Sequence, residues 1–179
     1  MYSSSRPVSM ADQATSCTAH KLTIRIKPAA SINDLLKIYV TFRAQFNCIH
    51  ISASWTSLGK MMKRSSTQRQ CLHLQLAALE PFVQHTLRCL FTGEIGARAV
   101  ANVAHGAAHC GRGFISPDLF ETLAEAAKLK VTDFNAQDIA NTAWAFAKAG
   151  QAEASLFAAL AEAAKLKVSD FNAQGLANT

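Results

Sequence analysis

The segment Leu119–Thr142 returns almost letter for letter as Leu156–Thr179, a displacement of 37 residues. Phe120 comes back as Phe157, Lys130 as Lys167, Phe134 as Phe171 and Asn141 as Asn178. A fixed period of this size marks a solenoid, because one short unit cannot bury its own apolar face and must stack on its neighbours. Such arrays offer long surfaces to elongated partners rather than enclosed pockets to small substrates.

Each unit reads as a pair of helices. Ser116 is a suitable N-cap, Pro117 suits the first helical position, and Asp118 places negative charge in the first turn. Leu119, Phe120, Leu123, Ala127 and Leu129 then recur at helical spacing, ending in Lys128 and Lys130. The second helix starts at Asn135, with Asp138 three residues on and Phe134 and Ile139 placed as a hydrophobic staple. It runs through Trp144, Phe146 and Lys148 to a stop at Gly150. Ala140, Ala143, Ala145, Ala147 and Ala149 keep this helix thin, so neighbouring helices can approach closely. Phe146, Ile139 and Leu123 fill the hairpin core.

The staple also finds diverged copies. Phe46-Asn47 with Ile51, Ile95-Gly96 with Val100, and Phe171-Asn172 with Leu176 repeat it, so the caps fall at 47, 96, 135 and 172. The spacing predicts first helices over Ile32–Gln45 and about Leu72–Phe91, the latter broken or restarted by Pro81. It leaves the basic stretch Lys60–Gln70 as an inserted loop. The expected architecture is all-α: an α-solenoid of about four stacked hairpins over residues 31–179, the last one truncated. Residues 1–30 form a loose segment in which Leu22-Thr23-Ile24-Arg25-Ile26 alternates as a short strand does. The chain stops partway through a helix with no polar capping unit, as expected of a fragment of a longer repeat protein or else of an open end that binds a partner, the fragment being the favoured reading.

Charge divides the chain. Residues 1–70 carry ten Lys and Arg against Asp12 and Asp34, a formal +8, and residues 71–179 carry eight against ten acids, a formal −2, which together give +6. The basic half, Lys60, Lys63, Arg64 and Arg69 above all, fits either attraction to nucleic acid or a solvated basic surface. The first 30 residues are rich in Ser and basic residues, as in an organellar transit segment or in ordinary disorder. No apolar run approaches the ~18 residues of a membrane span. The five cysteines are odd in number, widely spaced and without a CxxC pair, which argues against a disulfide scaffold and for a reducing compartment.

The run Phe134-Asn135-Ala136-Gln137-Asp138-Ile139-Ala140-Asn141-Thr142-Ala143-Trp144-Ala145-Phe146-Ala147 resembles the Leu-Ala-Asn-x-x-Trp-Ala helices of octotricopeptide-type repeats. It is similar as well to the helical region of FAST-kinase-like and RAP-domain proteins, and to the helical-repeat domain named for the trypanosome RNA-editing substrate-binding complex 6 protein. The resemblance spans about residues 31–179 and is strongest from Ala97 onward. It implies an organellar RNA-binding factor, in a mitochondrion or a plastid, acting in RNA processing, editing, stability or translation. Single-stranded RNA and other subunits of a ribonucleoprotein complex are the implied partners. No RAP domain is present, so no nuclease-like activity is carried over.

Lys128 and Lys130 recur as Lys165 and Lys167, a ladder that either tracks successive phosphates or complements the negative ends of helix dipoles. Asn102, Asn141 and Asn178 occupy one register of the second helix, where asparagine is a poor helix former; they either read base edges or fix the stacking. Trp55 and Trp144 either stack bases or, as aromatics at hairpin positions more often do, fill the core. His85, Cys89, His105 and His109 lie on one hairpin and are the right ligand types for zinc, but their spacing matches no zinc-finger pattern and the next unit has Trp144 and Lys148 instead. No metal or other cofactor is therefore expected. No nucleophile elbow, Walker loop, HExxH or dinucleotide turn is present, so the expectation is a protein that binds without turning over a small-molecule substrate.

Overall fold

A computed structural model describes residues 20–111, 117–151 and 153–170. These residues are all-α, without a strand among them. Residues 20–26 are helical (α1), followed by α2 (Ile32–Phe42), α3 (Cys48–Arg64), α4 (Ser66–Leu74), α5 (Leu76–Phe91), α6 (Ala97–Cys110), α7 (Pro117–Lys130), α8 (Ala136–Ala149) and α9 (Ala154–Leu166). The expected caps Ser116 and Asn172, the staple Phe171–Leu176 and Asn178 lie outside the described residues.

Local chemistry sets the helix starts. The Asn47 side chain accepts from the amides of Ile49 and His50 at 3.1 and 3.3 Å, and His50 Nδ1 accepts from the Asn47 amide at 3.0 Å. Asn135 and Asp138 form the same reciprocal box on α8, with bonds of 2.9 and 3.3 Å. Gly96 caps α6 without a side chain. In all three units the staple residues Phe46 and Ile51, Ile95 and Val100, and Phe134 and Ile139 are buried. At the far end of α8, Gly150 adopts φ 72°, and the amides of Gly150 and Gln151 bond back to Ala147 and Phe146. This left-handed stop explains the glycine there.

Contacts run from α3 to α6 to α8 along one row and from α5 to α7 to α9 along the other. Contacts of α6 with α7 and of α8 with α9 join the rows, and α2 packs on α3, α4 and α5. The interior is a series of aromatic anchors. Trp55 is fully buried, with Nε1 donating to Thr86 Oγ1 at 3.0 Å, and that hydroxyl in turn donates to the Phe82 carbonyl at 2.9 Å. Tyr39 meets Phe46 and Phe82 edge-on at 5.1 and 5.3 Å, and Phe120 meets Phe146 at 5.2 Å. Burying each such side chain is worth roughly 1.5–3 kcal/mol. Between rows of large residues the second helices touch through small ones: a Cβ on Gly106 would lie 2.3 Å from the Trp55 carbonyl oxygen. Ala101, Ala104 and Ala107 of α6 and Ala140, Ala143 and Ala145 of α8 are buried as well.

Four expectations change. The alternation over residues 22–26 is helix rather than strand: Leu22 and Ile26 are buried while Ile24, which a strand would place on their face, is 55% exposed, and the Ser57 hydroxyl donates to the Ile26 carbonyl at 3.3 Å. The segment expected to be loose through residue 30 is thus packed from residue 20. The basic stretch Lys60–Gln70 is not an inserted loop. It is the end of α3 and the start of α4, because Met61, Met62 and Leu72 are buried and Ser65 both ends one helix and caps the next. Pro81 does not break α5, which runs through it with the loss of one hydrogen bond; the interruption falls at Gln75 instead.

Candidate nucleic-acid interface

The second helices carry one register of nitrogen-bearing side chains. Thirteen residues after its cap, each has Lys60 (from Asn47), His109 (from Gly96) or Lys148 (from Asn135). Four residues earlier the same faces carry Thr56, His105 and Trp144. Because α6 packs between α3 and α8, the repeat brings the α6 and α8 members of this register together, while Lys60 of α3 lines a different surface.

The α6 and α8 members of this register, His105, His109, Trp144 and Lys148, open into a cleft of about 350 Å³ that is completed by Met62 and Lys63 of α3 and Arg69 of α4; Thr56 and Lys60 do not line it. The two imidazoles meet edge-on at 4.8 Å, and each lies 4.8 Å from the Trp144 ring. Lys148 Nζ stands 4.5 Å from the centre of that indole and 3.4 Å from His109 Nδ1. Arg69 is held by its Nη1, which donates to the Met62 carbonyl at 2.6 Å. Burial, then the charges of Lys148, His105 and Lys63, pushes His109 down to about 4. His105 is lowered by burial and then by Lys148 and Lys63. Both rings are therefore neutral near pH 7. Lys148 is itself lowered, by burial first and then by the positive charges of Lys63 and Arg69.

On the other side of α3 a second cleft, of about 320 Å³, is lined by Lys27, Lys60, Arg64 and Gln68 with the backbone around Pro28–Ala30. Neither lining includes a carboxylate. The last turns of α3 thus divide two concave basic surfaces, with Lys60 and Arg64 facing one and Lys63 the other. Such a surface attracts phosphates through charge, and a half-buried indole adds a stacking face.

The residues expected from the sequence to contact RNA lie elsewhere. Lys128 pairs with Glu125 at 2.6 Å and donates to Ser155 Oγ at 3.1 Å, and Lys165 pairs with Glu162 at 2.7 Å. Lys167 Nζ donates to the Thr132 carbonyl at 3.4 Å, and Lys130 is half-buried at the end of α7. Asn102 donates to Ser52 Oγ at 3.3 Å and so links α6 to α3, whereas Asn141 accepts from Gln137 of its own helix at 2.9 Å. None of these six lines either basic cleft. Nor do the histidines and Cys89 assemble. His85 lies 3.4 Å from the Tyr39 hydroxyl, Cys89 is pushed up to about 12 by burial and by Cys48, and His105 and His109 face Trp144. Among the described residues no group of three or more His, Cys, Asp or Glu is placed to hold a metal. Trp55 is core, but Trp144 is only half-buried and forms the cleft wall. Part of this site was legible in the sequence: the residues nine and thirteen past the caps of α6 and α8 supply its His105, His109, Trp144 and Lys148, whereas the same register of α3, Thr56 and Lys60, does not line it.

No family model matches the chain, and no curated protein is detectably similar to it.

Proposed function

We propose that the chain is an α-solenoid of helical hairpins that holds single-stranded RNA across its second-helix row, as part of an organellar RNA-processing assembly. The observation that carries this reading is the carboxylate-free pair of basic clefts flanking the end of α3. Lys27, Lys60, Lys63, Arg64, Arg69 and Lys148 supply positive charge there, and Trp144 supplies a face for a base. The solenoid reading rests on the 37-residue repeat together with the two rows of contacts. No helix among the described residues is long and apolar enough to cross a membrane, and the proposed role is binding, with no turnover of a substrate. The basic, Ser-rich start of the chain supports a mitochondrial or plastid location.

If about four phosphates are neutralised, affinity for a single strand falls about 50-fold between 50 and 200 mM salt. The test compares binding of a labelled 20-nucleotide single strand by three proteins: wild type, the variant Lys60→Gln/Lys63→Gln/Arg64→Gln, and the variant Lys128→Gln/Lys165→Gln. Loss of affinity in the first variant and little change in the second supports the basic clefts as the RNA surface. The reverse pattern returns the site to the lysine ladder.

A second reading, a protein-binding scaffold of the same fold, is favoured by one observation. Leu129 and Leu166, equivalent residues of successive units, are 83% and 86% exposed, and Phe91 at the end of α5 is 90% exposed. A folded chain that binds no RNA but co-purifies with a protein released by Leu129→Ser/Leu166→Ser supports that reading instead.

A further inference from the structure

We propose that the cleft between α3, α4, α6 and α8 is a site for a phosphomonoester, the terminal phosphate of an RNA strand, held by Lys63, Arg69 and Lys148 beside Trp144. This deepens the RNA-binding reading and rests on it for the identity of the strand.

Three cationic side chains from three different helices converge on one concavity whose lining has no carboxylate. Like charges brought together in this way repel, so the cleft gains most from a compact, multiply charged anion. A phosphomonoester carries about −1.5 to −2 at pH 7, whereas an internal phosphodiester carries only one charge. Arg69 is fixed by the Met62 carbonyl through one of its N–H groups, which leaves the rest of a planar donor fork for a phosphate. His105 and His109, neutral for the reasons given above, each keep one N–H donor, so they add hydrogen bonds without adding to the repulsion. The volume, about 350 Å³, is that of a small-ligand cleft rather than a single-ion niche. The second cleft differs in its lining: Lys27, Lys60 and Arg64 stand with Ser57, Met61, Ser65 and Gln68, and no aromatic side chain lines it. It suits the continuing backbone of the strand rather than its end.

The experiment uses the full chain and one 12-nucleotide single strand prepared with a 5′-phosphate, with a 3′-phosphate or with hydroxyls at both ends. Adenosine monophosphate and inorganic phosphate serve as free competitors. The expected result is at least a tenfold preference for a phosphorylated end, removed by Lys148→Gln and by Arg69→Gln and retained by Lys37→Gln on the exposed face of α2. Adenosine monophosphate should quench the half-buried Trp144, an effect lost in Trp144→Phe. Equal affinity for all three strands, with binding intact, overturns this inference and leaves the RNA reading standing. If no strand binds, the RNA reading fails. In that case quenching by adenosine monophosphate that is lost in Lys148→Gln still supports a phosphomonoester site, and no quenching overturns it. Circular dichroism of each variant separates loss of the site from loss of the fold.

Discussion

Replacing Gly106 with alanine tests how the second-helix row is held. Taken alone, the change favours α6, because alanine is better than glycine in a helix interior by about 1 kcal/mol. The neighbour decides otherwise. The new Cβ would lie 2.3 Å from the Trp55 carbonyl oxygen, 2.7 Å from its carbonyl carbon and 3.1 Å from its Cβ. These are backbone atoms and the root of a fully buried side chain whose indole is tied to Thr86, so none can rotate aside. Relief requires α3 and α6 to part by on the order of 1 Å, which weakens dispersion contacts along the whole interface. Because α6 also packs on α8, the movement is passed on. Overpacking of about 3–4 kcal/mol, less the propensity gain, leaves a net loss of about 2–3 kcal/mol, or a Tm lower by about 5–10 °C. Gly59→Ala is the matched control: its Cβ meets α6 no closer than 3.0 Å, and the same propensity gain leaves it near neutral. Thermal and urea melts followed by circular dichroism give both values. A Gly106→Ala protein as stable as wild type would mean that the row is not fixed by this backbone contact.

Three further outcomes follow from the geometry. His109, held at about 4 against an ordinary 6.5, takes up its proton later in the folded than in the unfolded chain, so stability falls as pH drops from about 6.5 to 4. The ceiling of about 3 kcal/mol is cut by solvent screening of a half-buried ring to about 1–2 kcal/mol, and urea melts of wild type and His109→Gln should differ in this limb. Lys148→Gln removes the second-largest cause of that lowering, so the His109 imidazole should titrate at higher pH in an NMR titration; an unchanged midpoint would remove Lys148 from the account. Asn135→Ala removes the side-chain bond of the α8 capping box, in which Asn135 Oδ1 accepts from the Asp138 amide, and leaves the backbone amide of residue 135 to donate to Asp138; it should cost about 1 kcal/mol by denaturant melts, with Asn135→Asp retaining most of it.

What could be read from the sequence was governed by local rules. The cap residues Asn47, Gly96 and Asn135, the staples and the Gly150 stop depend on neighbours within one turn, and each falls where the pattern placed it. The misread segments depend on distant partners. Leu22 to Ile26 alternates well enough for a strand, and only packing against the other helices turns Ile24 away from the face that Leu22 and Ile26 bury. The stretch after Lys60 looked like a loop because it is basic, yet Met61, Met62 and Leu72 bind it to the core while its charges face outward. The ladder lysines were conspicuous through exact repetition, but repetition brought Glu125 and Glu162 with them, three residues away on the same helix. The cleft beside Trp144 was harder to see because it joins Lys63 and Arg69 of one unit to Lys148 two units on, and only the stacking of α3, α6 and α8 supplies that proximity.

The central claim is that this helical array holds single-stranded RNA by its phosphates. The most direct measurement is the affinity of wild-type protein for a 20-nucleotide strand as a function of salt. Engagement of three to five phosphates predicts a slope of log affinity against log salt of about −2 to −3.5. Measurable binding with a slope near zero, or no binding by a folded helical protein at 50 mM salt, would contradict it.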